Sequence, residues 1–264
     1  KRQGEGRLMD LLKAEQKRIS WRTGFALINY YVADHLWEQA VEVGEKYMKR
    51  YPSNYYIGLK YAKSLCEMGQ YSQCISLLNK MSVLPNEGAY EGRAVYRAAN
   101  LYRAIEQLNL GNYESAMKSV EDSKKWPENL GVGKPYDNMI DNRLENYLEA
   151  KVAKKQGDRQ KELEILSLVA NYKFSREYFE SGNLLSALAL QELGKVSEAD
   201  DMVKIWSIRF PNDQKVQWCT AIYHKEYDKA IECLKSRKEQ IDSTPWENSF
   251  YDSNFDLLVR LFGL

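Results

Sequence analysis

Histidine, the side chain best suited to acid-base work near neutral pH, is scarce in this sequence. The 264 residues contain two histidines, His35 and His224. A metal site or an activated nucleophile needs several groups that converge on one point. The two histidines lie at similar turns far apart in the chain, so the sequence predicts no shared metal site and no Ser-His or Cys-His centre.

One glycine-rich string approaches a phosphate-binding loop. Gly131-Val132-Gly133-Lys134 ends in the glycine and lysine of that motif. The motif also needs a glycine five places before Gly133, where this chain has Glu128, and a Ser or Thr after the lysine, where it has Pro135. The sequence therefore predicts no nucleotide cofactor.

The four cysteines are too sparse for a disulfide scaffold and form no CxxC pair. Cys66 and Cys74 fall on two helices of one predicted hairpin, and Cys219 and Cys233 on those of another. Each pair is either a close pair of thiols or, as we favour, small core residues.

Acidic pairs such as Asp200-Asp201 are typical of a solvated helix face. We expect a non-enzymatic protein with no catalytic residue, cofactor or metal.

Charge and hydrophobicity disfavour two further classes of protein, namely binders of nucleic acid or anionic membranes and proteins that span a membrane. Lys plus Arg number 38 and Asp plus Glu 37, so the net charge of +1 provides no field that would attract nucleic acid or an anionic membrane. No stretch approaches the ~18 apolar residues that a membrane span needs. With 44% hydrophobic residues the chain can bury a sizeable core.

A short pattern of residue types recurs along the chain. Gly69, Tyr71 and Cys74 give a glycine, an aromatic residue two places later and a small residue three places after that. Further copies, some degraded, are His35-Trp37-Ala40, Gly111-Tyr113-Ala116, Gly157-Arg159-Glu162, Gly194-Val196-Ala199 and Lys225-Tyr227-Ala230. The intervals between the small positions are 34, 42, 46, 37 and 31 residues.

This pattern predicts a helical hairpin. A glycine just past a helix end takes a left-handed backbone at little cost, and a second helix then begins. Apolar residues at helical spacing precede the turn, as at Leu59, Ala62 and Leu65, and follow it, as at Ile75 and Leu78. The small residue allows the two helices to approach closely.

The hairpin pattern resembles the tetratricopeptide repeat (TPR), whose period is ~34 residues. The resemblance implies an all-α, right-handed α-solenoid of about six TPR-like hairpins with capping helices. We expect a single domain over 1–264. Its parts would be a leading helix at 5–20, repeat units at 21–53, 54–86, 94–127, 142–172, 180–211 and 214–238, and a capping helix at 253–264.

A narrower resemblance spans roughly residues 51 to 160. The strings Leu84–Gly88, Glu91–Ala94, Ala99–Leu101 and above all Trp126–Asp137 are similar to the repeat-bearing C-terminal regions of large bacterial proteins. Those proteins carry β-rich, mutarotase-like domains upstream. The resemblance implies that this chain is part of a longer bacterial protein, either exported to the periplasm or cytoplasmic. It implies no catalytic residue.

The first helices of the hairpins should form the concave face, which is the usual binding face of a solenoid. The lysines of the fourth unit suit an acidic segment, although a solvated helix face also explains them. The residues predicted to line this groove are Arg22, Asn29, Tyr56, Lys63, Tyr147, Lys151, Lys154 and Lys155.

Two insertions, Ser82 to Arg93 and Trp126 to Asp141, should emerge along one edge and provide a second candidate site. Aromatic rings beside hydrogen-bonding groups suit a sugar or a peptide turn. The alternative is that these aromatic residues fill a neighbouring groove. The candidate ligand-binding residues are Glu87, Glu91, Arg93, Trp126, Glu128, Asn129, Lys134, Tyr136 and Asp137.

We therefore expect a scaffold that binds a peptide segment or docks its own upstream domain. The alternative is an accessory module that presents an oligosaccharide to an upstream carbohydrate-active domain. Neither hypothesis involves nucleic acid or membrane insertion.

Overall fold

The computed structural model describes residues 2–86, 89–172, 179–243 and 254–263, and the side chains of 6–86, 89–172, 179–235 and 254–263. Within these ranges the chain is helical and has no strand. Two short 3-10 helices, Glu128–Leu130 and Asp137–Met139, lie in the second insertion. The α-helices are α1 (Arg2–Lys17), α2 (Trp21–Ala33), α3 (Trp37–Arg50), α4 (Tyr55–Glu67), α5 (Tyr71–Lys80), α6 (Glu91–Asn109), α7 (Tyr113–Ser123), α8 (Arg143–Gln156), α9 (Arg159–Ala170), α10 (Asn183–Glu192), α11 (Val196–Arg209), α12 (Gln214–Tyr223), α13 (Tyr227–Ser243) and α14 (Phe255–Leu261).

The helices pack in the order in which they follow one another. α2 packs on α3, α4 on α5, α8 on α9, α10 on α11 and α12 on α13. First helices of neighbouring hairpins also touch, as α2 touches α4 and α8 touches α10. This is the packing of stacked TPR-like hairpins, and the all-α solenoid fold predicted from the sequence is confirmed.

The chain divides into two compact units. Unit 1 comprises Lys1–Arg103 and Asp122–Pro135, and unit 2 comprises Ala104–Glu121 and Tyr136–Leu264. In unit 1, a core of Ile28, Tyr47 and Ile57 is fully buried where α2, α3 and α4 meet. In unit 2, α14 covers the buried Trp218 of α12, with the Phe255 ring centroid 5.0 Å from the Trp218 ring.

Each hairpin turn contains one residue with a left-handed backbone. Gly69, Gly111, Gly157 and Gly194 have φ between +74° and +80°. The degraded copies adopt the same conformation with residues that have a Cβ atom, since φ is +55° at His35 and +61° at Lys225. After each turn residue, the next amide bonds a carbonyl five residues back, as from Gln70 N to Leu65 O at 2.8 Å. This bond ends the first helix by using one of its last carbonyls.

The small position of the pattern lies where the two helices of a hairpin cross. Ala40, Cys74, Ala116, Ala199 and Ala230 are completely buried. The fourth unit has Glu162 at this position, and its side chain is only 3% exposed. Its Oε2 atom lies 2.7 Å from Nη1 of Arg159, so a charge occupies a position that five other hairpins fill with a small residue.

A buried guanidinium joins the beginnings of α8 and α10 in unit 2. Arg143 is 1% exposed and donates to both carboxylate oxygens of Asp141, at 3.0 and 2.8 Å. It also donates to Glu180 at 2.9 Å and to Asn183 at 2.7 Å. A Cβ atom at Gly182 would lie 2.7 Å from Nη2 of Arg143, so this close approach requires glycine. Buried charges are tolerated when they are paired and hydrogen-bonded in this way.

Replacing Lys225 with glycine should raise the free energy of unfolding by about 0.5–1 kcal/mol, because glycine removes the left-handed strain of a residue with a Cβ atom. Urea unfolding measures the change. As the matched control, Gly194→Ala should lower stability by about 1 kcal/mol, because φ there is +80° and the added Cβ makes that conformation strained. Beyond the adjacent residues no atom lies within 4 Å of the added Cβ, so a steric clash does not contribute. A less stable Lys225→Gly variant would show that the turn is not strained.

Arg143→Met should lower the free energy of unfolding by about 3–5 kcal/mol, because it leaves the buried Asn183 and the partly buried carboxylates of Asp141 and Glu180 without their cation. The control is Lys229→Met, whose side chain is 60% exposed in its ion pair with the 48% exposed Glu226. That change should cost about 1 kcal/mol or less. Equal losses in the two variants, measured by chemical denaturation, would contradict the role given to burial.

Candidate functional site

The first turns of α2 and α4 form an aromatic surface in unit 1. The Ser20 hydroxyl accepts from Thr23 N at 3.2 Å, and Asn54 Oδ1 accepts from Ile57 N at 3.1 Å. These N-caps fix where the two helices begin. They place an aromatic residue at or near each helix start. We call this surface the aromatic face, and its members are Trp21, Arg22, Phe25, Tyr55 and Tyr56.

The side chains of the aromatic face form a continuous stack. The guanidinium carbon of Arg22 lies 4.7 Å from the Trp21 ring centroid. The Trp21 and Tyr56 rings are stacked with centroids 6.2 Å apart, and Tyr55 stacks on Tyr56 at 4.3 Å. Phe25 meets Tyr56 edge-on at 5.8 Å. Because the ring faces contact one another, the surface presents ring edges, phenol groups and a cation.

Two further predicted groove residues continue from the aromatic face along the same helices. Asn29 follows Phe25 by four residues on α2, and Lys63 follows Tyr56 by seven on α4, so each lies on the same side of its helix. Both side chains are half-buried. The structure thus brings together Arg22 and Tyr56, and places Asn29 and Lys63 farther along the same two helices.

The predicted basic groove in unit 2 is occupied by a carboxylate of the chain itself. Glu192, the last residue of α10, accepts from the Tyr147 hydroxyl and from Lys151 Nζ, both at 2.8 Å on Oε1. Its other oxygen accepts from Lys154 Nζ at 3.2 Å. Lys155 is exposed beside them. Three of the four residues predicted on α8 therefore converge on one acidic side chain.

The contacts at Glu192 change the protonation equilibria of the groups around it. Burial alone would raise the pKa of Glu192, but the hydrogen bonds and charge of Lys151, with the bonds from Tyr147 and Lys154, lower it below the ordinary 4.5. Burial and the Glu192 charge raise the pKa of Tyr147 well above its ordinary value. Glu192 is therefore held ionised and Tyr147 neutral at pH 7.

A second carboxylate extends this cluster. Glu162 Oε1 lies 3.5 Å from Lys154 Nζ. The Lys154 side chain thus lies between Glu162 and Glu192, and it is half exposed. Hydrogen bonds and charge from Glu192 raise the pKa of Lys154, despite a small opposing effect of burial.

The two insertions contact each other in unit 1. Val83 N donates to Asn129 O at 2.8 Å, which joins the first insertion to the beginning of the second. The Asn129 side-chain amide donates to Leu78 O at 2.8 Å and to Met81 O at 2.7 Å. Asn129 thereby binds carbonyls at the C-terminal end of α5. This predicted ligand-binding residue has a structural role.

Other predicted ligand-binding residues in unit 1 also have internal partners. Arg93 is 5% exposed, lies 4.6 Å from the Trp126 ring centroid and donates to Ser123 O at 2.7 Å. Trp126 is half-buried. Glu91 accepts from Lys60 Nζ at 2.7 Å. One face of the Trp126 ring is therefore covered by a guanidinium.

The remaining insertion residues are on the surface. Glu128 and Lys134 are exposed in unit 1, and Tyr136 and Asp137 are exposed in unit 2, with 80% of Tyr136 accessible. Glu87 lies outside the described residues.

All four cysteines are free thiols, and three of them belong to the core. Cys66, Cys74 and Cys219 are buried and Cys233 is half-buried. The hydrogen bond to Cys66 and burial raise the pKa of the Cys74 thiol far above neutrality. Across the side chains that the structure describes, no three His, Cys, Asp or Glu residues are grouped so that they could hold a metal ion.

None of the helices in the described part of the chain combines the length and apolar character needed to cross a membrane.

Comparison with known proteins yields one structural similarity. No family model and no curated protein sequence matches the chain. Among solved structures, the crystal structure of the APC/C hetero-tetramer Cut9–Hcn1 matches with a TM-score of 0.42 and 19% sequence identity. The match covers 98% of this chain and 46% of that chain, so this chain spans about half the length of the one it matches.

Sequence reasoning missed two components of these surfaces. One is Glu192, which precedes its turn glycine by two residues, as Lys155 precedes Gly157. Equivalent positions on neighbouring first helices lie side by side in stacked repeats, so this register predicts that Glu192 faces the C-terminal half of α8. The other is the pair Trp21 and Tyr55 in the aromatic face. The N-caps Ser20 and Asn54 directly precede these two residues and would have placed them at the starts of α2 and α4.

Glu192→Gln should reduce stability at pH 7 but not in acid. A lowered pKa stabilises the folded chain above the ordinary carboxyl value of 4.5, and this contribution is lost as the pH falls through the folded-state value. The difference in melting temperature between wild type and variant should therefore shrink below about pH 4.5. For the control Glu198→Gln, whose carboxylate is 61% exposed, the difference should be small at every pH. An unchanged Glu192 difference from pH 7 to pH 3 would contradict this account.

Proposed function

We propose that this chain is a non-enzymatic scaffold that binds a protein segment along the aromatic face. The observation that carries the proposal is the partly exposed stack on α2 and α4, in which Tyr56 remains 48% exposed although it contacts three other rings. Aromatic residues and arginine are the groups that contribute most to protein–protein binding when they become buried.

The chemistry of the aromatic face favours a segment that is apolar at one point and acidic at another. Ring edges and the half-buried Phe25 offer apolar contact area, whereas Arg22 and Lys63 supply positive charge near each end. Their amino and guanidinium groups bind carboxylates with charge-assisted hydrogen bonds. The segment can belong to another protein or to an upstream domain of the same polypeptide. The resemblance of the Trp126–Asp137 string supports the second source.

The oligosaccharide hypothesis receives less support from the contacts. A sugar ring would need an open aromatic face, but Arg93 covers one face of Trp126. Asn129 uses its side-chain amide to hold the end of α5. Of the two predicted aromatic residues, Trp126 and Tyr136, only Tyr136 is largely exposed.

Tyr56→Ala should weaken peptide binding about tenfold or more, because loss of a central aromatic contact typically costs over 1 kcal/mol. The experiment selects peptides from a random library on the wild-type chain and measures their dissociation constants by calorimetry. Arg22→Glu should weaken binding further if the selected peptides are acidic.

The matched control is Tyr227→Ala, on the second helix of the last hairpin, where Tyr227 is 49% exposed. This change should alter the dissociation constant by less than about twofold. Equal losses in both tyrosine variants, or none in Tyr56→Ala, would rule out the aromatic face as the binding site.

A further inference from the structure

We propose that Tyr147, Lys151 and Lys154 form a carboxylate-binding site for an acidic peptide segment, and that Glu192 occupies this site in the unbound chain. The inference deepens the proposed function, because it assigns an acidic ligand to a second first-helix surface. We call these three donors the α8 donor stripe.

The α8 donor stripe lies along one side of a single helix. Lys151 follows Tyr147 by four residues, and Lys154 follows it by seven, which is the spacing of side chains on one helix face. All three donors contact the same carboxylate within 3.2 Å. Two ammonium groups and a phenol around one carboxylate satisfy it from both oxygens, as a receptor for that group would.

The carboxylate that fills the site comes from a different helix. Glu192 ends α10 and is followed closely by the left-handed turn at Gly194. A negative side chain at a helix C-terminus is unfavourable with respect to the helix dipole. The α8 donors, rather than the dipole of α10, therefore stabilise the Glu192 carboxylate at this position.

The charges around the site leave room for an acidic ligand. Lys151, Lys154 and Arg159 bring three positive charges to the two negative charges of Glu192 and Glu162, and Glu162 Oε1 also lies 3.5 Å from Lys154 Nζ. Lys155 adds a further exposed ammonium on α8. Glu162 is engaged by Arg159 at 2.7 Å. The Lys154 side chain is 50% exposed and that of Glu192 19%, so an incoming carboxylate can reach the ammonium groups from solvent.

A tethered carboxylate competes with a ligand at an effective concentration that is commonly in the millimolar range. An acidic peptide should therefore bind weakly to the wild-type chain at this site, and removal of the Glu192 carboxylate should raise its affinity. The surface would then be a receptor that the chain's own side chain blocks.

The first test is chemical rescue of Glu192→Ala by sodium acetate. Acetate should raise the melting temperature of this variant more than sodium chloride does at equal ionic strength, and it should raise that of wild type no more than chloride does. Adding Lys151→Met to Glu192→Ala should abolish the difference, whereas adding Lys155→Met should not. No specific effect of acetate, or an equal effect of phosphate, would overturn the carboxylate assignment.

The second test is binding of a hexaglutamate peptide, measured by calorimetry. Glu192→Gln and Glu192→Ala should each bind it about tenfold or more tightly than wild type does, and Lys151→Met in either background should remove the gain. Glu192→Gln keeps the side-chain volume, so the test stands even if the alanine variant folds poorly. No gain in either variant would overturn the proposal.

The two proposals fail separately. Tyr56→Ala tests the aromatic face with library-selected peptides, whereas the α8 donor stripe is tested by those acetate and hexaglutamate effects that Lys151→Met removes. If Tyr56→Ala does not weaken binding of the selected peptides but acetate specifically stabilises Glu192→Ala, the first proposal is wrong and the second stands.

Discussion

The left-handed residue at each hairpin turn is the constraint on which the rest of this structure depends. It ends the first helix, directs one amide back to an otherwise unpaired carbonyl, and allows the second helix to begin two residues later. The position five residues after the turn is then buried, and it holds a small residue such as Ala40 or Ala230 in every hairpin but the fourth, which has Glu162. The same register fixes which first-helix residues face a neighbour, and Glu192 meets Lys151 for this reason.

The sequence predicts the parts of the structure that depend on local geometry. His35 and Lys225 can be assigned to turns because of their distance from Ala40 and Ala230, although a positive φ is uncommon for any residue other than glycine. Long-range contacts of irregular segments have no such periodicity. The amide of Asn129 binds Leu78 O across 51 residues, and a single sequence cannot distinguish that structural role from ligand binding. The lysines of α8 can also be found from the sequence. Their partner Glu192 can be assigned only when the register of α8 against α10 is known.

Buried charge has different consequences at two positions of unit 2. Arg143 is surrounded by Asp141, Glu180 and Asn183, so its desolvation is offset by several hydrogen bonds. A shift of α10 by one residue against α8 would remove the Glu180 and Asn183 acceptors, and the network therefore selects one packing register. Glu162 instead has one close partner, Arg159, and a longer contact with Lys154. The first arrangement specifies the fold, whereas the second places a charge beside a surface that faces solvent.

The pKa shifts around Glu192 move its neighbours and itself away from the range that suits proton transfer at neutral pH. A general acid or base is most effective when its pKa lies near the working pH. Here the neighbours of Glu192 lower its pKa, and burial together with the Glu192 charge raises that of Tyr147, so both groups move away from pH 7. The pKa of Lys154 is raised in the same cluster. Each group is thereby fixed in one protonation state, and a surface of fixed charges discriminates between ligands by complementarity rather than by exchanging protons with them.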